Sequence, residues 1–183
     1  MKRYWKYFVF IFFISLILNI YLYNQLFTFK NNQSYIVNKL FVDIASDIYS
    51  THNILTEVLK TNTLTVEMSQ QIKYSYDMNL FEHLSNLNDS LGRIKGFRSA
   101  IDMNKFIKFR NFLIPLESKP FKSGNNNYLI TDSEKNEIYQ IEKTLSDFQK
   151  YIKSNVDVND SNLSYNATVN KWIKIINYIN NYK

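Results

Sequence analysis

Apolar positions along this chain form one unbroken block followed by four narrow stripes. The block runs from Tyr7 to Phe27, YFVFIFFISLILNIYLYNQLF, and contains no charged residue. A helix needs roughly 20 such residues to cross a hydrocarbon layer of about 30 Å. Ser15, Asn19 and Asn24 dilute the run without ending it. Tyr4, Trp5 and Tyr7 at one end, and Tyr21 and Tyr23 at the other, supply the amphipathic rings that favour a headgroup level. A cleaved secretory signal has a shorter apolar core, about 7 to 15 residues, and small residues at its end. Here Tyr21, Tyr23, Phe27 and Phe29 are bulky. The block therefore predicts an uncleaved transmembrane anchor at residues 7–27.

The stripes follow from residue 31 onward. Val37, Phe41, Ile44, Ile48, Leu55 and Val58 share one helical face, with Thr51 at the missing position. Leu80, Leu84, Leu87, Leu91 and Ile94 form a second stripe, which Met68, Ile72 and Tyr76 extend upstream. A third helix opens at Thr131-Asp132-Ser133-Glu134, the pattern of a capping box, and carries Ile138, Ile141, Leu145, Phe148 and Ile152. Tyr165, Val169, Trp172, Ile176 and Ile179 make the fourth. Each stripe alternates steps of four and three, the second from Leu80 onward. Stripes this narrow bury well only against one another, within one chain or between chains. The predicted fold class is all-α: a single transmembrane helix, then an antiparallel four-helix-bundle-like or coiled-coil-like domain over residues 31–183. A homo-oligomer is compatible with the same stripes.

Composition agrees. Only three Gly and two Pro occur in 183 residues, too few for the turns of an all-β chain. With no Cys there is no disulfide framework, thiol nucleophile or Cys-based zinc site. The wealth of Asn, Lys, Ile, Tyr and Phe carries the bias of an AT-rich genome, which we read as that of a low-GC bacterium. The net charge of +6 divides evenly, +3 from residues 1–6 and +3 from the rest. Lys2, Arg3 and Lys6 form a basic tip that the positive-inside rule keeps in the cytoplasm. The expected location is the cell membrane, single-pass, with the C-terminal domain extracytoplasmic.

Residues 92–130 differ from the stripes and predict an irregular basic-aromatic connection. Arg93, Lys95, Arg98, Lys105, Lys108 and Arg110 interleave there with Phe106, Phe109 and Phe112, while Gly92, Gly96, Pro115, Pro120 and Gly124 interrupt it. A first exported helix climbing about 45 Å and a second descending as far would return this stretch to the outer membrane surface. There it is expected to contact anionic headgroups or an anionic wall polymer, or else to be a solvated loop. Nucleic acid is not an expected partner, since the compartment is wrong for it.

Catalytic patterns do not emerge. His52 and His83 are the two histidines and stand apart, so no H-x-x-x-H pair or metal site is expected. Three glycines cannot build a phosphate loop, and no G-x-S-x-G elbow occurs. No enzyme activity and no cofactor are expected. The expected function is a membrane-anchored extracytoplasmic helical interaction or structural protein of the bacterial envelope, with the bilayer and an envelope protein as partners. The alternative is a sensory, accessory or immunity-type ectodomain acting through a partner membrane protein.

Overall fold

The computed structural model describes residues 2–94, 97–98, 100–122, 126–156 and 165–182. Its dominant element is α1 (Lys2–Thr61), a single uninterrupted helix of 60 residues. At 1.5 Å per residue it is about 90 Å long. The separate anchor and first exported helix of the sequence reading are thus one rod. Along its first half, large apolar side chains from Trp5 to Phe29 stand exposed, 67% and 57% at the two ends. From Val37 onward one face of the same helix is fully buried. This helix is the one long and apolar enough to cross a membrane among the described residues.

Asn62 ends α1 in the left-handed region, φ 52°, a conformation that Asn tolerates better than most side chains. Two short strands follow from such turns: β1 (Thr63–Thr65) and β2 (Asn127–Leu129), the latter preceded by Asn126 at φ 56°. They pair antiparallel with Leu64 opposite Tyr128. This ribbon is absent from the all-α expectation. Each strand leads into a helix capped by a threonine. Thr65 accepts from the Met68 amide, and Thr131 forms the expected capping box with Glu134.

The second stripe occupies α2 (Val66–Ile72), a π-helical stretch (Lys73–Leu80) and α3 (Phe81–Gly92), joined end to end. The π turn has a readable cause. Met68, Ile72, Tyr76, Leu80 and Leu84 step by four each time. In an α-helix each such step overshoots a turn by about 40°, a drift of about 160° over four steps. Wider π turns absorb that drift, and Ile72, Tyr76, Leu80 and Leu84 are all fully buried.

Residues 92–130 are not irregular throughout. They hold α4 (Asn104–Glu117) and α5 (Lys119–Lys122). After α6 (Asp132–Asn155) the chain ends in α7 (Tyr165–Asn181). α6 packs along α1, with the α2–π–α3 rod on α1 as well and α7 touching both α1 and α6. α4 lies against α2 and the π stretch, and reaches α6 and α7 through the rings of Phe106 and Phe148 and through Lys105.

Polar pairs join these rods at defined levels. Thr51 of α1 meets Ser75 at 3.0 Å, and each also bonds its own preceding turn. Trp172 Nε1 donates to Asn38 Oδ1 at 2.7 Å. Tyr165 donates to Gln33 at 3.2 Å and lies beneath Lys30, so α7 begins beside the end of the apolar block. Asn88 of α3 bonds both backbone groups of Ile101, and Asn180 bonds the amide of Asp102.

Phe148 sits at 0% exposure against Phe106, Tyr178 and Tyr182. Phe148→Ala is expected to cost about 3–5 kcal/mol through the cavity it leaves. Thr131→Ala removes only a cap and should cost about 1 kcal/mol. Urea unfolding of the full-length chain in detergent, followed by circular dichroism, checks both values and their order.

Candidate functional site

The basic-aromatic residues do not share one surface. Arg93, just past α3, and Arg98 are exposed, and Arg93 lines a hollow with Phe29 and Gln33 at the base of the helical body. Lys95 lies outside the described residues. The side chains of Lys2, Arg3 and Lys6 do too, although their backbone belongs to α1. The remaining six are on α4, which climbs away from that base: Ile101 is level with Asn88, Phe106 with Tyr76, and Glu117 with Lys73.

Of these six, three are held by specific contacts within the chain. Phe106 is fully buried, and its carbonyl accepts from the Tyr76 hydroxyl at 2.8 Å. Lys105 donates to the Tyr182 carbonyl and lies over the rings of Phe148 and Tyr182. Arg110 pairs with Asp77 of the π stretch and stacks on Phe81 at 4.9 Å. The Arg110 charge is thus neutralised by a partner 33 residues earlier. Phe109 and Phe112 are half-buried against the core, and Lys108 is exposed. Lys105, Phe106 and Arg110 thus each make contacts within the chain, while the Arg110 side chain remains 41% exposed.

α4 and the π stretch enclose a different feature. A cleft of about 500 Å³ lies between them, lined by Lys73, Tyr74, Asp77, Ile114, Glu117 and Phe121 among others. Glu117 is only 9% exposed, and its Oε1 has no hydrogen-bond partner. Burial first, then the neighbouring carboxylate of Asp77, push its pKa up to about 7, against the pull of Lys73 and Arg110. A carboxyl that exchanges its proton near neutrality, set in a cleft beside an ion pair, has the character of a functional group. π turns also concentrate at functional sites. Sequence alone does not single out Glu117, one of two acidic residues between Gly92 and Ser123. The available signal was its place in the α4 stripe, one residue after Leu116 and four after Leu113.

Both histidines are half-buried and bridge helices. His83 of α3 contacts Asp47 of α1 at 2.6 Å, and His52 of α1 lies 2.8 Å from Glu142 of α6. The second contact has an ion pair's distance without an aligned hydrogen bond at Nδ1. Glu142 also accepts from Thr56 at 3.3 Å. Burial pushes the Asp47 carboxyl up, and the His83 bond offsets part of that. Among the described residues no group of three metal-ligating side chains comes together.

Comparison with protein-family models, curated proteins and solved structures gives no match to this chain. Function has to be argued from the molecule itself.

Glu117 also sets a pH dependence with a definite sign. Its pKa is raised in the folded state, from 4.5 to about 7. Between those values the unfolded chain ionises while the folded one keeps its proton, so stability falls as pH rises through that window. The loss is bounded at about 3 kcal/mol. Glu117→Gln should be more stable than the parent at pH 8 and lose that advantage at pH 4. Urea midpoints at the two pH values measure it.

Proposed function

We propose that this chain is a membrane-anchored helical interaction protein of the bacterial cell envelope. Residues 7–27 cross the membrane once, Lys2, Arg3 and Lys6 keep the N-terminus in the cytoplasm, and the helices beyond form an antiparallel bundle outside. One observation carries this reading. Within a single unbroken helix, the side chains change from exposed and apolar to core-forming between Phe29 and Val37. An exposed Leu, Ile or Phe forgoes about 1.5–3 kcal/mol of burial energy. More than a dozen on all sides of one helix call for lipid.

The body stands directly on that helix with no flexible segment between. Such a construction suits display of a surface at fixed height, with an envelope protein as its partner. We assign no catalysis to Glu117, because burial and Asp77 account for its raised pKa without invoking a reaction.

A second reading has its own support. Ser15 and Asn19 lie one turn apart at 3.4 Å within the apolar block. Polar side chains at such depth are used to hold neighbouring transmembrane helices. A sensory, accessory or immunity-type role through a partner membrane protein would use that polar pair.

Because the chain has no cysteine, single introduced thiols report topology cleanly. Lys143→Cys, on an exposed position of α6, should react with a membrane-impermeant maleimide in intact cells. Lys2→Cys should react only after permeabilisation. The reverse pattern, or release of the protein by carbonate washing, would remove the reading. Asn19→Leu should abolish co-purification of a membrane partner if the second reading is right, and leave it unchanged if the exported surface makes the contact.

A further inference from the structure

The base of the helical body carries a site that the basic-aromatic stretch only touches. α1 and α3 lie antiparallel there, and two adjoining hollows open between them. The lower, about 200 Å³, is lined by Phe29, Gln33, Ile36, Val37, Ser90 and Arg93. The upper, about 530 Å³, is lined by Lys39, Asp43, Glu82, Asn86, Asp89 and Arg93 among others. Ile36, Ser90 and Arg93 belong to both and join them into one groove.

Polarity changes in order along this groove. Phe29, the last of the exposed apolar run, starts it, and Ile36 and Val37 continue the apolar wall. Arg93 comes next, exposed and placed where the wall turns polar. Above it, Asp89 sits one helical turn back along α3, with Asp43 and Glu82 further up. A ligand matching that order has an acyl chain, then a phosphate, then an ammonium about one helical turn beyond.

We propose that this groove binds a membrane phospholipid with a phosphoethanolamine headgroup: the chain against Phe29 and Ile36, the phosphate on Arg93, the ammonium on Asp89. The site rests on the membrane-anchor reading, since only a helix spanning at residues 7–27 brings Phe29 to the headgroup level. Charge complementarity selects the headgroup. Lys39 balances one of the three carboxylates in the upper hollow, so a phosphatidylglycerol, with its anionic phosphate on Arg93, would leave the remaining two without a cation. A choline head would bring a methylated ammonium that cannot donate a hydrogen bond to Asp89. Arg93 holds a phosphate well because its planar fork can donate two bonds at once.

The test uses the full-length chain in detergent, reconstituted into lipid nanodiscs of equal parts phosphatidylethanolamine, phosphatidylglycerol and phosphatidylcholine. Lipids that stay bound after release are counted by native mass spectrometry. The ethanolamine lipid should be retained about tenfold over the other two, and Arg93→Ala and Asp89→Asn should each remove most of that excess. Both residues are exposed, so circular dichroism should show both variants folded, and Arg93→Lys should restore part of the retention. Retention in proportion to supply, preference for the glycerol lipid, or indifference to both substitutions would overturn the groove while leaving the anchor in place. Failure to enter the discs at all would overturn the anchor reading and this site with it.

Discussion

Burial of one face of α1 beyond Phe29 is the constraint around which the other elements are arranged. Val37, Phe41, Ile44, Ile48, Leu55 and Val58 are each 1% exposed or less, and no single neighbour could cover them all. The α2–π–α3 rod covers one flank, α6 covers most of the length, and α7 closes the base. The cost of leaving such a stripe in water, about 1.5–3 kcal/mol for each large side chain, is what holds the rods in contact. The π stretch is a local concession to the same demand, since it keeps Ile72 through Leu84 facing inward where an α-helix would rotate them out.

Polar contacts then choose among the alignments that apolar burial alone would allow. Thr51 with Ser75, Asp47 with His83, and Asn38 with Trp172 each tie α1 to a different neighbour. Sliding a rod by one turn would break these contacts between helices, and each hydrogen bond lost costs about 0.5–1.5 kcal/mol. Glu117 departs from this pattern. Its Oε1 lacks a partner, as does Nδ1 of His52, and at the cleft around Glu117 some stability has been given up.

The four stripes were legible because burial on one face forces steps of three and four, and nearly every residue named from them lies in the core. The capping box at Thr131 was legible because its chemistry is local. α4 was not. Lys105, Lys108 and Arg110 hid its apolar face, and the partners that neutralise two of them, Asp77 and the Tyr182 carbonyl, are remote in sequence. The short ribbon escaped notice because three-residue strands carry no alternation, and Asn62 and Asn126 are two of many asparagines. Glu117 was invisible for a related reason. A carboxylate's burial depends on which helix comes to cover it, and that helix was missing from the reading.

The unbroken course of α1 also has a mechanical side. A helix running from Trp5 through Val58 has no joint at which its two halves could bend independently. Any leaning of the apolar half must swing the whole body with it. Over the roughly 45 Å from Lys30 to Thr61, a lean of about 10° carries the ribbon end sideways by about 8 Å. With the apolar half in a membrane, as proposed, local thinning of the lipid or a neighbour pressing on one side would be magnified into a displacement at the far tip.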